Sequence, residues 1–74
     1  MPNTSKEDLA KYAGLVWLDD ITALNTTAGL VRDAVVAKDW NLAQTKMGEA
    51  LALGGKLADS GRTLQNAILK NLNV

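Results

Sequence analysis

The sequence predicts an all-α protein, an antiparallel hairpin of two long helices that self-associates into a helical bundle. Three observations carry that expectation. Apolar residues recur at helical spacing on either side of one break, "AKDWN" at 37–41. No proline follows Pro2, so no later residue forbids a helix outright. The chain has 74 residues and no Cys, and a core that small rarely supplies more than roughly 3–5 kcal/mol without disulfides, metals or partner subunits.

The first helix starts near residue 5. Thr4-x-x-Glu7 and Ser5-x-x-Asp8 both fit a capping box, and the acids fall in the first turn, where the helix dipole favours them. Leu9, Tyr12, Ala13, Val16, Trp17, Ile21, Leu24, Ala28, Val31, Ala34 and Val35 then fill one broad face. The phase predicts one helix of about 30 residues, about 45 Å long at 1.5 Å per residue. The polar stretch "LNTTAG" at 24–29 is the alternative, a loop that splits this helix and gives a three- or four-helix bundle.

Asp39 suits an N-cap for a second helix beginning at Trp40. Ala43, Met47, Ala50, Leu51, Gly54, Leu57, Ala58, Gly61, Leu64, Ile68 and Leu72 keep a spacing near 3.5 residues. That helix is either continuous or broken once near Asp59-Ser60-Gly61. The chain is then a single helical domain, 1–74. Leu15, Leu18, Val36 and Trp40 lie roughly opposite the main apolar face of the first helix, with small or polar residues between. They are the expected protein interface, and a dimeric four-helix bundle is the default assembly.

Composition narrows the chemistry. Eight basic and eight acidic side chains cancel, which argues against a coat for a nucleic-acid polymer. The longest apolar run, "AGLVWL", is far short of a membrane span, and "MPNTSKEDL" lacks a signal-peptide pattern. A soluble cytoplasmic protein is expected, with no membrane partner. There is no His and no Cys, which removes the commonest metal ligand, general base and thiol nucleophile. Neither an enzyme nor a cofactor is expected.

Two motifs invite a sharper reading. Gly54-Gly55-Lys56 suggests a phosphate loop, but Ala50 stands at the first glycine position and Leu57 where the magnesium-binding hydroxyl belongs. No strand precedes it. Gly48 and Gly55 are seven apart, as are Gly54 and Gly61, so they return to nearly the same helix face. Tight packing of a neighbouring helix, a hinge at Gly54-Gly55 and a ligand groove are all compatible with that stripe.

The acidic pair Asp19-Asp20 does not converge, because adjacent helical residues point about 100° apart. Asp20 nevertheless falls near the centre of the apolar arc, and a buried carboxylate needs a partner. A hairpin turning near residue 38 offers Lys56 or Arg62. Trp17 is expected in the core, and Trp40 either covers the hairpin end or anchors a partner.

"DWNLAQTKMGEALALGGK" at 39–56 resembles the second helix of the phage-encoded hairpin proteins that sequester cyclic oligonucleotide immune signals, the anti-CBASS and anti-Thoeris sponges. Trp40, Thr45, Met47, Ala50 and Lys56 are the matching positions. Trp40 and Thr45 stand one residue closer than in that family, and Gln44 replaces a basic residue. The resemblance implies a small, oligomeric viral protein of anti-defence function with ligands bound between subunits.

Two functions follow as expectations. One is sequestration of a small anionic nucleotide, with Lys56 and Arg62 on phosphates, Thr45 donating a hydrogen bond and Tyr12 stacking on a base. The other is a protein-interaction module, an inhibitor or assembly adaptor for a host protein, acting through Leu15, Leu18, Val36 and Trp40. A structural subunit of a larger assembly is a third.

Overall fold

The computed structural model describes residues 5–72; Pro2 and Thr4, the first half of one capping box, lie outside them. Two helices make up the fold, α1 (Lys6–Val36) and α2 (Trp40–Leu72), and they pack side by side. Ser5 is the N-cap of α1: its Oγ accepts a hydrogen bond from the Asp8 amide at 3.1 Å. The helix runs 31 residues without interruption, so 24–29 is helix and not a loop. Just before that stretch the Thr22 hydroxyl donates to the Leu18 carbonyl within the helix.

The turn occupies residues 37–39. The end of α1 is capped by the Ala37 amide, which donates to the Asp33 carbonyl, and by the Lys38 amide, which donates to the Val35 carbonyl. Lys38 adopts a left-handed conformation, φ 59°, which costs a non-glycine residue roughly 1 kcal/mol and reverses the chain in minimal length. Asp39 then opens α2, its Oδ1 accepting from the Leu42 amide at 3.2 Å. α2 runs 33 residues and is unbroken through 59–61.

The seam between the helices follows a heptad. On α1, Ala10, Ala13, Trp17, Asp20, Leu24, Thr27, Val31 and Ala34 alternate spacings of three and four; on α2, Ala43, Lys46, Ala50, Leu53, Leu57, Ser60, Leu64, Ala67 and Asn71 do the same. An average step of 3.5 keeps one line of side chains facing a partner helix. Among the described residues only Ala13, Ala34, Ala43, Ala50 and Asp20 are buried. Small side chains at the centre of the seam let the backbones approach.

That seam differs from the expected core. Trp17 is 37% exposed, and Tyr12, Val35, Met47, Ile68 and Leu72, all on the predicted apolar arcs, are exposed too. An arc wide enough to hold them subtends more than one neighbouring helix can cover. Alanines take the line of closest approach and the large side chains flank it. No large side chain is fully buried.

The outline shows the same shortfall. The hairpin measures 53 × 21 × 15 Å with a radius of gyration of 16.6 Å, where a compact chain of this length has about 11 Å. It exposes 5671 Å², against about 4,400 Å² for a compact monomer.

Candidate functional site

Each helix pair has two flanks beside its seam, and one of them forms a groove. Helical phase puts Leu9, Tyr12 and Val16 of α1 on the same side as Lys56, Asp59, Thr63, Asn66 and Lys70 of α2. These residues, with Lys6, Ala13, Asp20, Ser60 and Ala67, line a groove of roughly 620 Å³. Its floor is apolar, from Leu9, Ala13, Val16 and Ala67. Its rim carries three lysines, Lys6, Lys56 and Lys70, and the exposed ring of Tyr12. Lys56, Thr63 and Lys70 fall on one line because they are seven apart.

At one end of the groove sits Asp20, its side chain 6% exposed. Lys56 Nζ lies 3.4 Å from its Oδ1 and spans the seam. Oδ2 is buried and has no hydrogen-bond partner. A buried carboxylate oxygen without a donor costs about 1–3 kcal/mol, so Asp20 lowers the stability of the hairpin unless another group reaches it. The pairing fixes register, since it matches position 20 to position 56 across the seam. At the open end of the hairpin Asn71 Nδ2 donates to the Lys6 carbonyl at 3.0 Å and ties the two termini of the helices together.

The groove's polar groups retain bonding capacity. Ser60 and Thr63 donate their hydroxyl protons to the Leu57 and Asp59 carbonyls, which leaves the oxygen lone pairs for a ligand donor. Asp59 pairs loosely with Arg62 at 3.8 Å. Among the described residues Lys6 and Lys70 have no ion-pair partner.

Of the four expected ligand residues, the structure brings Tyr12 and Lys56 together in the groove. Thr45 and Arg62 do not line it. Thr45 lies near the turn, its hydroxyl donating to the Asn41 carbonyl, about 16 Å along the helix from Lys56. Arg62 projects from the outer edge of α2 toward Asp59 and does not reach Asp20. Lys6, Thr63, Asn66 and Lys70 were not anticipated, although the seven-residue step from Lys56 pointed to two of them.

The expected interface residues Leu15, Leu18, Val36 and Trp40 are all exposed. They do not form one patch. Leu15 and Val36 lie on the outer edge of α1, away from α2, while Leu18 and Trp40 belong by phase to the flank opposite the groove. Along the hairpin Leu15 and Leu18 stand about 27 Å or more from Val36 and Trp40, which flank the turn. Trp40 caps no end of the seam; it stands exposed at the start of α2.

Among the glycines only two have a neighbouring helix close by. A Cβ on Gly61 would come within 3.3 Å of Trp17 Nε1, so the absence of a side chain there seats the indole against α2. Gly14 faces Leu64 at an ordinary 3.9 Å. Gly48, Gly54 and Gly55 have nothing within 4 Å. There is no hinge at 54–55, where the helix is regular.

Among the described residues no helix is long and apolar enough to cross a membrane. Comparison with protein-family models, with curated proteins and with solved structures finds nothing that matches the chain.

Proposed function

We propose that the chain is a non-catalytic, self-associating helical binding protein whose groove takes a small anionic ligand with a flat or apolar body. The observation that carries this is that Lys6, Tyr12, Lys56 and Lys70 line one groove over an apolar floor, with Lys56 about 21 Å along α2 from Lys70. Ammonium groups on a rim meet phosphate or carboxylate oxygens as point charges. The phenol ring offers a stacking face to a base. The apolar floor hides the rest of the ligand from water. Asp20 and Asp59 lie at the Lys56 end of the groove and select against a long polyanion, so a compact ligand suits the end where Lys6 and Lys70 stand. The resemblance of residues 39–56 to cyclic-oligonucleotide sponges supports the same reading: sequestration of a nucleotide signal by a viral anti-defence protein.

A panel of cyclic mono-, di- and trinucleotides assayed by calorimetry tests it. At least one is expected to bind, with affinity reduced roughly 10-fold or more in Tyr12→Ala and in Lys70→Ala. Both side chains are exposed, so neither variant endangers the fold. No binding across the panel, or binding that both variants retain, counts against the reading.

A second reading has its own observation. Leu15, Leu18, Val36 and Trp40 are large and exposed, with Val36 at 77%, and would anchor a host protein. A pull-down from host lysate is expected to recover a partner that Leu15→Asp loses; recovery of the same proteins by both forms speaks against it.

A further inference from the structure

The flank opposite the groove is mainly apolar, with Asn25, Gln44 and Gln65 as polar interruptions and Lys11 and Arg32 toward its ends. By helical phase it carries Gly14, Trp17, Leu18, Ile21, Ala28 and Val35 from α1 and Trp40, Met47, Leu51, Gly54, Ala58, Gly61 and Ile68 from α2. Between Lys11 and Arg32 it has no charged residue. Trp17, Leu18, Val35, Trp40, Met47, Leu51 and Ile68 are all exposed on it. The seam itself buries four alanines and one aspartate and no large side chain. The chain therefore leaves many of its bulk hydrophobics on a surface it cannot cover by itself.

Area says how much cover is needed. The excess over a compact monomer is on the order of 1,300 Å², and one flank of a hairpin 53 Å long presents on the order of 1,000 Å². A second flank of the same size would hide about 2,000 Å² in total, which is the range of stable homodimers. A foreign partner would need an equally long apolar strip; a second copy has one by construction.

The shape of the flank sets the orientation. Bulk and space lie side by side: Leu18 and Ile21 protrude from α1 at the height where α2 has Gly54 and Ala58. Nothing approaches within 4 Å of a Cβ at Gly54. A two-fold axis parallel to the helices stacks α1 of one copy on α2 of the other at the same height, so bulk meets space. An axis across the helices stacks α1 on α1 and α2 on α2, which sets bulk against bulk and leaves the glycines facing a gap. We propose that this flank docks a second copy of the chain about a two-fold axis parallel to the helices, with Leu18 and Ile21 of each copy seated over Gly54 and Ala58 of the other. Both turns then lie at the same end of a four-helix bundle, and both grooves face outward.

This rests on the self-association in the reading above but not on the groove's ligand. The chain has no native Cys, so Ala37→Cys at the exposed turn takes a single spin label. In the docked pair the two labels are expected within roughly 25 Å, allowing for label arms on helices 8–10 Å apart. With the axis across the helices they stand about 46 Å apart, a helix length. Gly54→Leu supplies a second readout. The lone hairpin has room for it, while the docked pair does not, so the dimer dissociation constant is expected to rise about 10- to 100-fold with helicity retained. A dimer with the short distance and the Gly54→Leu loss supports the arrangement. A dimer with the long distance overturns it while leaving self-association intact. A monomer at micromolar concentration, whether or not it binds lipid vesicles or another protein, overturns it altogether. Nucleotide binding is read separately and moves none of these outcomes.

Discussion

The two flanks of this hairpin come from the same two helices, yet they differ in chemistry. One carries lysines, hydroxyls and a tyrosine around a groove of roughly 620 Å³. The other carries two tryptophans, large aliphatics and glycines, with no charge between Lys11 and Arg32. The seam between them is thin, with alanines at its centre and one ion pair across it. Such a seam holds two helices in register but does not hide enough apolar surface to stabilise 74 residues strongly. Stability is therefore expected to reside mostly on the apolar flank, and ligand chemistry on the polar one.

The largest effect should come from charge on the apolar flank. Leu18→Asp is expected to lower the thermal midpoint by on the order of 10 °C or more at micromolar concentration, because it costs about 2–4 kcal/mol in a short chain where each 1 kcal/mol moves the midpoint by several degrees. Thermal melts followed by circular dichroism at two concentrations check this. A concentration-dependent midpoint in the native chain that becomes concentration-independent in the variant locates the stability in the assembly.

Intermediate effects should come from the polar side of the seam, and with opposite signs. Lys56→Ala leaves the Asp20 carboxylate buried and unpaired and is expected to destabilise by about 1–3 kcal/mol. Asp20→Ala removes the orphaned Oδ2 and continues the line of Ala13 and Ala34; it is expected to be neutral or stabilising by up to about 1 kcal/mol. Denaturant melts of both variants decide it, and equal losses would mean that the pair contributes net stability. A further small effect belongs to neither flank. Gly48 lies exposed on the outer edge of α2 with nothing near its Cβ position, so Gly48→Ala is expected to stabilise by about 0.8–1 kcal/mol through helix propensity alone.

Much of the fold was legible in the residues. Ser5 and Asp39 mark the helix starts by their capping oxygens, and the turn at 37–39 follows from the break in phase. The pairing of Asp20 with Lys56 follows from the position of that turn, since it sets which residues stand opposite. What stayed hidden is which apolar residues the seam takes. Trp17, Met47 and Ile68 have the same phase whether they face a helix of their own chain or one from outside, because periodicity records a direction and not an occupant. The distinguishing cue is size: alanines at every seventh step mark close approach, as Ala43 and Ala50 do. The groove was half legible. Tyr12 and Lys56 were found from their chemistry; Arg62 falls on the outer edge of α2 by phase, while Thr45 shares the phase of Asp59 and Asn66 but stands about 16 Å along the helix from Lys56.

The central claim is that the two flanks act independently, one assembling copies and the other meeting a ligand. Light scattering at micromolar concentration of the native chain, Leu51→Asp and Lys70→Ala tests it in one experiment. Leu51 is 67% exposed on the apolar flank, and Lys70 lines the groove. The account predicts a dimer mass for the native chain and for Lys70→Ala, and a monomer mass for Leu51→Asp. A native chain that runs as a monomer, or a Leu51→Asp variant that remains a dimer, would contradict it.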